Sequence, residues 1–73
     1  MIIMLNSIEL VKKFVNVVNA FDGDIDIVSG RYTVDAKSIM GIFSLDLTKP
    51  MTVVIHDNVD KAKLEAALAE FSI

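Results

Sequence analysis

The hydrophobic repeat first changes period beside Gly23, and that change decides much of what the chain can become. Between residues 7 and 21, Ile8, Val11, Phe14, Val15, Val18 and Phe21 recur at the spacing of about 3.6 residues that lines one side of an α-helix, and Glu9, Lys12, Lys13, Asn16 and Asn19 fill the other. Beyond Gly23 the repeat falls to two. Ile25 and Ile27 alternate with other residues over 24–28, and Tyr32 and Val34 point inward over 31–35. Ser29-Gly30 suits a tight turn between these runs, so the spacing predicts a hairpin.

The helix is signalled at both ends. Asn6 followed by Glu9 has the outline of a capping box, Ser7 reads as a first-turn or capping residue, and Gly23 suits a left-handed stop after Phe21. Further on, residues 38–44 read as a helix of one or two turns, Lys49-Pro50 as a loop and residues 51–55 as a buried strand. Leu64, Ala67, Leu68 and Phe71 form one stripe of a closing amphipathic helix over 59–71, and residues 2–5 are a stub of strand. This order predicts an α+β layer, with helices on one face of an antiparallel sheet. No repeat, linker or low-complexity segment divides it, and 73 residues hold one domain, 1–73.

Composition removes several function classes. There is no cysteine and only one histidine, so disulfides, thiolate sites and imidazole clusters are excluded, and no metal or cofactor is expected. A net charge of −3 with seven scattered basic residues provides no stripe for a nucleic acid. No apolar run approaches the roughly 20 residues of a membrane span, and residues 1–5 lack the length and basic flank of a signal peptide, so the expected compartment is the cytoplasm. A hydrophobic content of 53% with positive mean hydropathy leaves apolar surface for a protein partner. Two acidic groupings invite chemistry and do not support it. His56 and Asp57 are sequence neighbours that point apart and lack a third group, and Asp22, Asp24 and Asp26 lack the roughly 12-residue ligand frame of a calcium loop.

One segment, Asp35-Ala36-Lys37-Ser38-Ile39-Met40-Gly41, places a serine hydroxyl at the mouth of a short apolar helix just after a strand. Together with Phe14, Phe21, Ile25, Leu45 and Leu47 it resembles the HPr family, the phosphocarrier proteins of the bacterial sugar phosphotransferase system, without gaps from Phe14 to about residue 56. The resemblance implies an HPr-like open-faced sandwich with its first strand truncated. Carried back from Phe14 at constant spacing, the family's phosphoryl-accepting histidine falls on Ser7 and its phosphate-clasping arginine on Glu9, while Leu10 replaces a family proline. No catalytic residue of the relay is left at those positions, so the chain is not expected to be an enzyme.

Ser38 matches the regulatory serine that HPr kinase modifies in Gram-positive relatives; its other reading is an ordinary helix cap. The resemblance also implies docking through Lys12, Lys37, Ile39, Met40 and Gly41, although Ile39 with Phe43 can instead face the core. Three functions remain: a non-catalytic, protein-binding regulatory relative switched at Ser38, a phosphocarrier with an unusual acceptor, or a structural or assembly domain. The implied partners are HPr kinase, phosphotransferase components, a transcriptional regulator, or a second copy of the chain paired through an uncovered sheet edge, with neither nucleic acid nor membrane among them.

Overall fold

A computed structural model describes residues 1–73. The elements run β1 (Ile2–Ile3), α1 (Ile8–Val18), β2 (Ile25–Ser29), β3 (Tyr32–Asp35), α2 (Ile39–Phe43), β4 (Met51–Ile55) and α3 (Lys61–Ala67), closed by a 3-10 turn over Ala69–Phe71. The four strands form one antiparallel sheet in the order β1-β4-β2-β3. Ile3, Ile25, Ile27, Met51 and Val53 are buried, whereas their alternating neighbours Ile2, Thr52 and Val54 are exposed, so one face of the sheet packs on the helices and the other is open. This is the α+β layer expected from the periodicity and the open-faced sandwich that the resemblance implied.

The core fills the space between sheet and helices. Val11, Phe14, Val15 and Val18 of α1 meet Ile42 of α2, Leu64 of α3 and Leu68 just after it. Phe14 and Phe71 pack edge to face with ring centroids 5.5 Å apart and planes at 80°, which ties α1 to the last turn. Every buried residue is hydrophobic, so the core itself contains no charge.

Several boundaries differ from the sequence expectation, each for a local reason. The cap of α1 is Ser7 rather than Asn6, with Ser7 Oγ accepting from the Leu10 N–H at 3.1 Å. Ile8 is the first residue of α1 and is 60% exposed, in line with Val11 and Val15 but in the first turn, where the buried stripe does not reach. At the other end α1 stops at Val18. Asn19 turns its side-chain amide back onto the Val15 carbonyl at 2.8 Å, and Ala20 and Phe21 make the tighter three-residue bonds of a closing turn. Gly23 does adopt a left-handed φ of +102°, but it lies beyond that turn and serves a close approach to the loop after β4.

In the hairpin, Ser29 pairs with Tyr32, so the two-residue turn is Gly30-Arg31, with Gly30 at φ +59° supplying the positive first angle. Tyr32 is 70% exposed rather than inward, because it opens the edge strand beside a cleft of about 350 Å³ instead of over packed side chains. On α2 the buried residue is Ile42; Ile39 is only partly buried against the core, and Phe43 is exposed at its rim. The final helix is shorter than residues 59–71: Asp60 caps it through the Lys63 N–H, and the 3-10 turn carries Phe71 inward.

The edge of β4 expected to be partly uncovered is so only at one end. β1 pairs Ile2 with Thr52 and Ile3 with Met51, and the Met1 carbonyl accepts from the Val53 N–H at 2.8 Å, leaving only the Val54–Ile55 end of β4 beyond its neighbour. On the outer side of β1, Ser72 bridges to Ile3 and the Ile73 N–H donates to the Ile2 carbonyl. The short first strand is therefore held from both flanks, and little free edge backbone remains there for a second copy.

Candidate functional site

Each of the two serines singled out by sequence caps a helix. Ser7 is exposed at the start of α1, its hydroxyl held by the Leu10 N–H, and the Glu9 carboxylate stands exposed in the first turn. A carboxylate suits the positive end of a helix but leaves that end poorly disposed to a second anion. Lys12 and Lys13 follow on the outer face; Lys12 is exposed, and Lys13 pairs with Glu70 at 2.7 Å.

Ser38 is built differently, because the chain is folded onto it from both sides. Asp35 Oδ1 accepts from the Lys37 N–H at 2.8 Å, and the Asp35 carbonyl accepts from the Ser38 N–H at 3.0 Å, which makes a side-chain-supported turn out of β3. Ser38 Oγ then accepts from the Gly41 N–H at 3.1 Å, and the Ser38 carbonyl accepts from Ile42, so the hydroxyl sits half-buried at the mouth of α2. Gly41 is pressed into this corner: a Cβ there would lie 3.2 Å from Ser38 Oγ and 3.3 Å from Val34 Cβ. Of the residues expected to dock partners, Met40 is 77% exposed, Ile39 is half-buried and Gly41 packs against Ser38 and β3.

Lys37 has a task that sequence reasoning missed. Its ammonium turns inward and donates to the carbonyls of Phe21, at 2.6 Å, and Gly23, at 3.0 Å, fastening the loop after α1 to the turn that presents Ser38. The only hint in the sequence was a lysine next to a capping serine, and nothing in that spacing says which carbonyls it finds.

Residues 9–72 match the family model described as the PTS HPr component phosphorylation site. The chain belongs to the HPr family. No curated protein sequence matches it. The family consists of phosphocarriers of the phosphotransferase system, which work through contact with other proteins of that system and are not themselves catalysts. The match opens at Glu9, so the equivalence of Ser7 rests on the constant spacing back from Phe14. No helix is long and apolar enough to cross a membrane.

Other polar groups stand apart from the HPr-like serines. The cleft lined by Arg31, Tyr32, Asp46 and Lys49 shares no residue with either cap. Within it the Asp46 carboxyl is held below its ordinary value, first by the Thr48 hydroxyl and then by the Thr48 N–H. His56 does not pair with Asp57; its Nε2 lies 2.8 Å from Asp26 Oδ2 on the open face of the sheet. Finding that pair from sequence would have required the β2–β4 register, in which Asp26 stands opposite Val54.

Proposed function

We propose that this HPr-family chain is a non-catalytic, cytoplasmic, protein-binding regulator, and that phosphorylation of Ser38 changes which partner it holds. The observation that carries this reading is the pair Ser7 and Glu9 at the tip of α1, where the spacing from Phe14 puts the family's histidine and arginine. A relay needs a phosphorus–nitrogen bond reactive enough to be handed on, whereas a serine makes a stable ester whose alkoxide is a poor leaving group. Glu9 adds repulsion toward a phosphate of about −1.5 to −2 charge. The single imidazole of the chain, His56, is engaged with Asp26 on the face away from the helices, which argues against its replacing the lost acceptor.

Ser38 fits modification better. A phosphate there would join the first-turn N–H groups of α2, and the fold around it is already fixed by the Asp35 turn and the Lys37 tie. Asp35 opposes the phosphate, and the Lys37 ammonium is committed elsewhere, so the new charge would be left for a partner's cations to read. Exposed Ile8 and Met40, from two helices that pack on each other, supply apolar contact beside Lys12. The partner classes this suits are HPr kinase as the modifying enzyme and a transcriptional regulator or a phosphotransferase component as the receiver.

Two parallel incubations test the proposal: HPr kinase with ATP, and the first phosphotransferase enzyme with phosphoenolpyruvate, each followed by intact mass and fragmentation. Phosphate on Ser38 from the kinase alone is the expected result. Label on Ser7 or His56 from phosphoenolpyruvate would establish a carrier with an unusual acceptor, and no label in either reaction would leave a structural or assembly domain.

A further inference from the structure

One corner of the sheet is laced by polar contacts that the serine sites do not use. His56, one residue past β4, puts Nε2 2.8 Å from Asp26 Oδ2 on β2, and its backbone N–H donates to the Asp24 carbonyl at 3.2 Å. Asn58 holds Asp24 twice more, Oδ1 accepting from the Asp24 N–H at 3.0 Å and Nδ2 donating to Asp24 Oδ2 at 3.2 Å. Beside this corner Gly23 has no space for a side chain, since a Cβ would fall 2.6 Å from Val59 Cγ2 and 2.7 Å from the Asn58 carbonyl oxygen. The loop leaving α1 is thus sewn to the loop leaving β4, and on its other side Lys37 holds the Phe21 and Gly23 carbonyls.

The charges around His56 share one sign. Asp26 and Asp24 approach from the β2 side and Asp57 from its own loop; Asp35 on β3 stands opposite Asp26 in register; β1, on the other flank of β4, brings Ile2 and Ile3 and no charge. The hydrogen bond with Asp26 is the main influence, and it holds the His56 proton more tightly than in a free histidine, with the three carboxylates adding to it against a smaller opposing desolvation.

We propose that this corner is a proton-operated clasp: a proton on His56 completes an ion pair with Asp26 and tightens the joint between residues 24–26, where β2 starts, and residues 56–58, just past β4, and its departure slackens that joint. The neutral ring keeps the hydrogen bond through an Nε2–H tautomer but loses the charge that strengthens it. The direction follows from linkage. A histidine that binds its proton more strongly in the folded chain adds stability that is complete below its unfolded value of 6.5 and is lost as the pH rises through the higher folded value.

Because the chain has one histidine, proton NMR of its ring gives a single titration curve on the unaltered protein. The expected midpoint lies above 6.5 and moves down toward 6.5 in Asp26→Asn. Amide exchange at Asp24 and His56, corrected for intrinsic rates, should lose protection between about pH 6 and pH 8 in the natural chain and stay level in His56→Gln, across the interval where histidine alone among side chains ordinarily titrates. A midpoint at or below 6.5, or one that Asp26→Asn leaves unmoved, overturns the clasp.

Discussion

Replacing Lys37 with methionine keeps the aliphatic stem and removes only the ammonium that reaches the Phe21 and Gly23 carbonyls. A hydrogen bond from a charged donor contributes about 1.5–3 kcal/mol. Two such bonds give roughly 3–6 kcal/mol, against which stands about 2 kcal/mol for ordering a lysine side chain. Lys37 is half-buried, so water recovers part of what the carbonyls lose, and a net destabilisation of about 1–3 kcal/mol is the expected size. For a domain of this length each kcal/mol moves the melting temperature by about 4–8 °C, so Lys37→Met should melt roughly 4–24 °C below the natural chain. Lys12→Met, which removes an exposed lysine from α1, is the control and should stay within about 0.5 kcal/mol. Thermal unfolding followed by circular dichroism, with urea titration to obtain the free energy, measures both. If Lys37→Met melts no lower than the Lys12 control, the ammonium is a solvated surface group and its role in fixing the Ser38 turn is refuted.

Gly23→Ala must place a Cβ within 2.6 Å of Val59 Cγ2 at a φ of +102°, and should cost about 2–4 kcal/mol in urea unfolding, whereas Gly30→Ala, with open space around it, should cost less through its left-handed φ alone. Phe14→Ala removes the centre of the core and its edge-to-face contact with Phe71; about 3–5 kcal/mol should be lost, enough to leave much of a small domain unfolded at 37 °C. Ser38→Ala loses the α2 cap at a cost of about 1 kcal/mol, while Ser38→Asp retains a capping oxygen and should unfold close to the natural chain, and only the alanine and aspartate variants should be blind to HPr kinase.

Most of the fold was legible because it depends on period and on parity. The switch from Phe14 and Val18 at helical spacing to Ile25 and Ile27 at strand spacing located α1 and β2, and Leu64, Leu68 and Phe71 located the closing layer. What was misread depends on competition among local hydrogen bonds. Asn6 and Ser7 both offer capping oxygens, and with Ser7 chosen Ile8 is the first helical residue, exposed in the opening turn although it shares the helical spacing of Val11 and Val15. Tyr32 shares the parity of Val34, but parity cannot reveal that the helix layer ends short of the hairpin tip. At the site, the capping of Ser38 was readable from its place before an apolar run, whereas the Lys37 tie and the His56–Asp26 pair join residues 14 to 30 positions apart and exist only once the register is set.

The seam in which β1 lies between Met51–Val53 and Ser72–Ile73 joins residues about 70 positions apart. During synthesis, α1 and the hairpin can assemble from what has already emerged, but β1 has no outer neighbour until Ser72 and Ile73 have emerged. Contacts of such long sequence separation carry a loop-closure cost that slows folding of the domain as a whole. A label placed at residues 1–3 or 72–73 would crowd this seam, whereas the hairpin turn at Gly30-Arg31 has open space around Gly30 and is the gentler place to attach one.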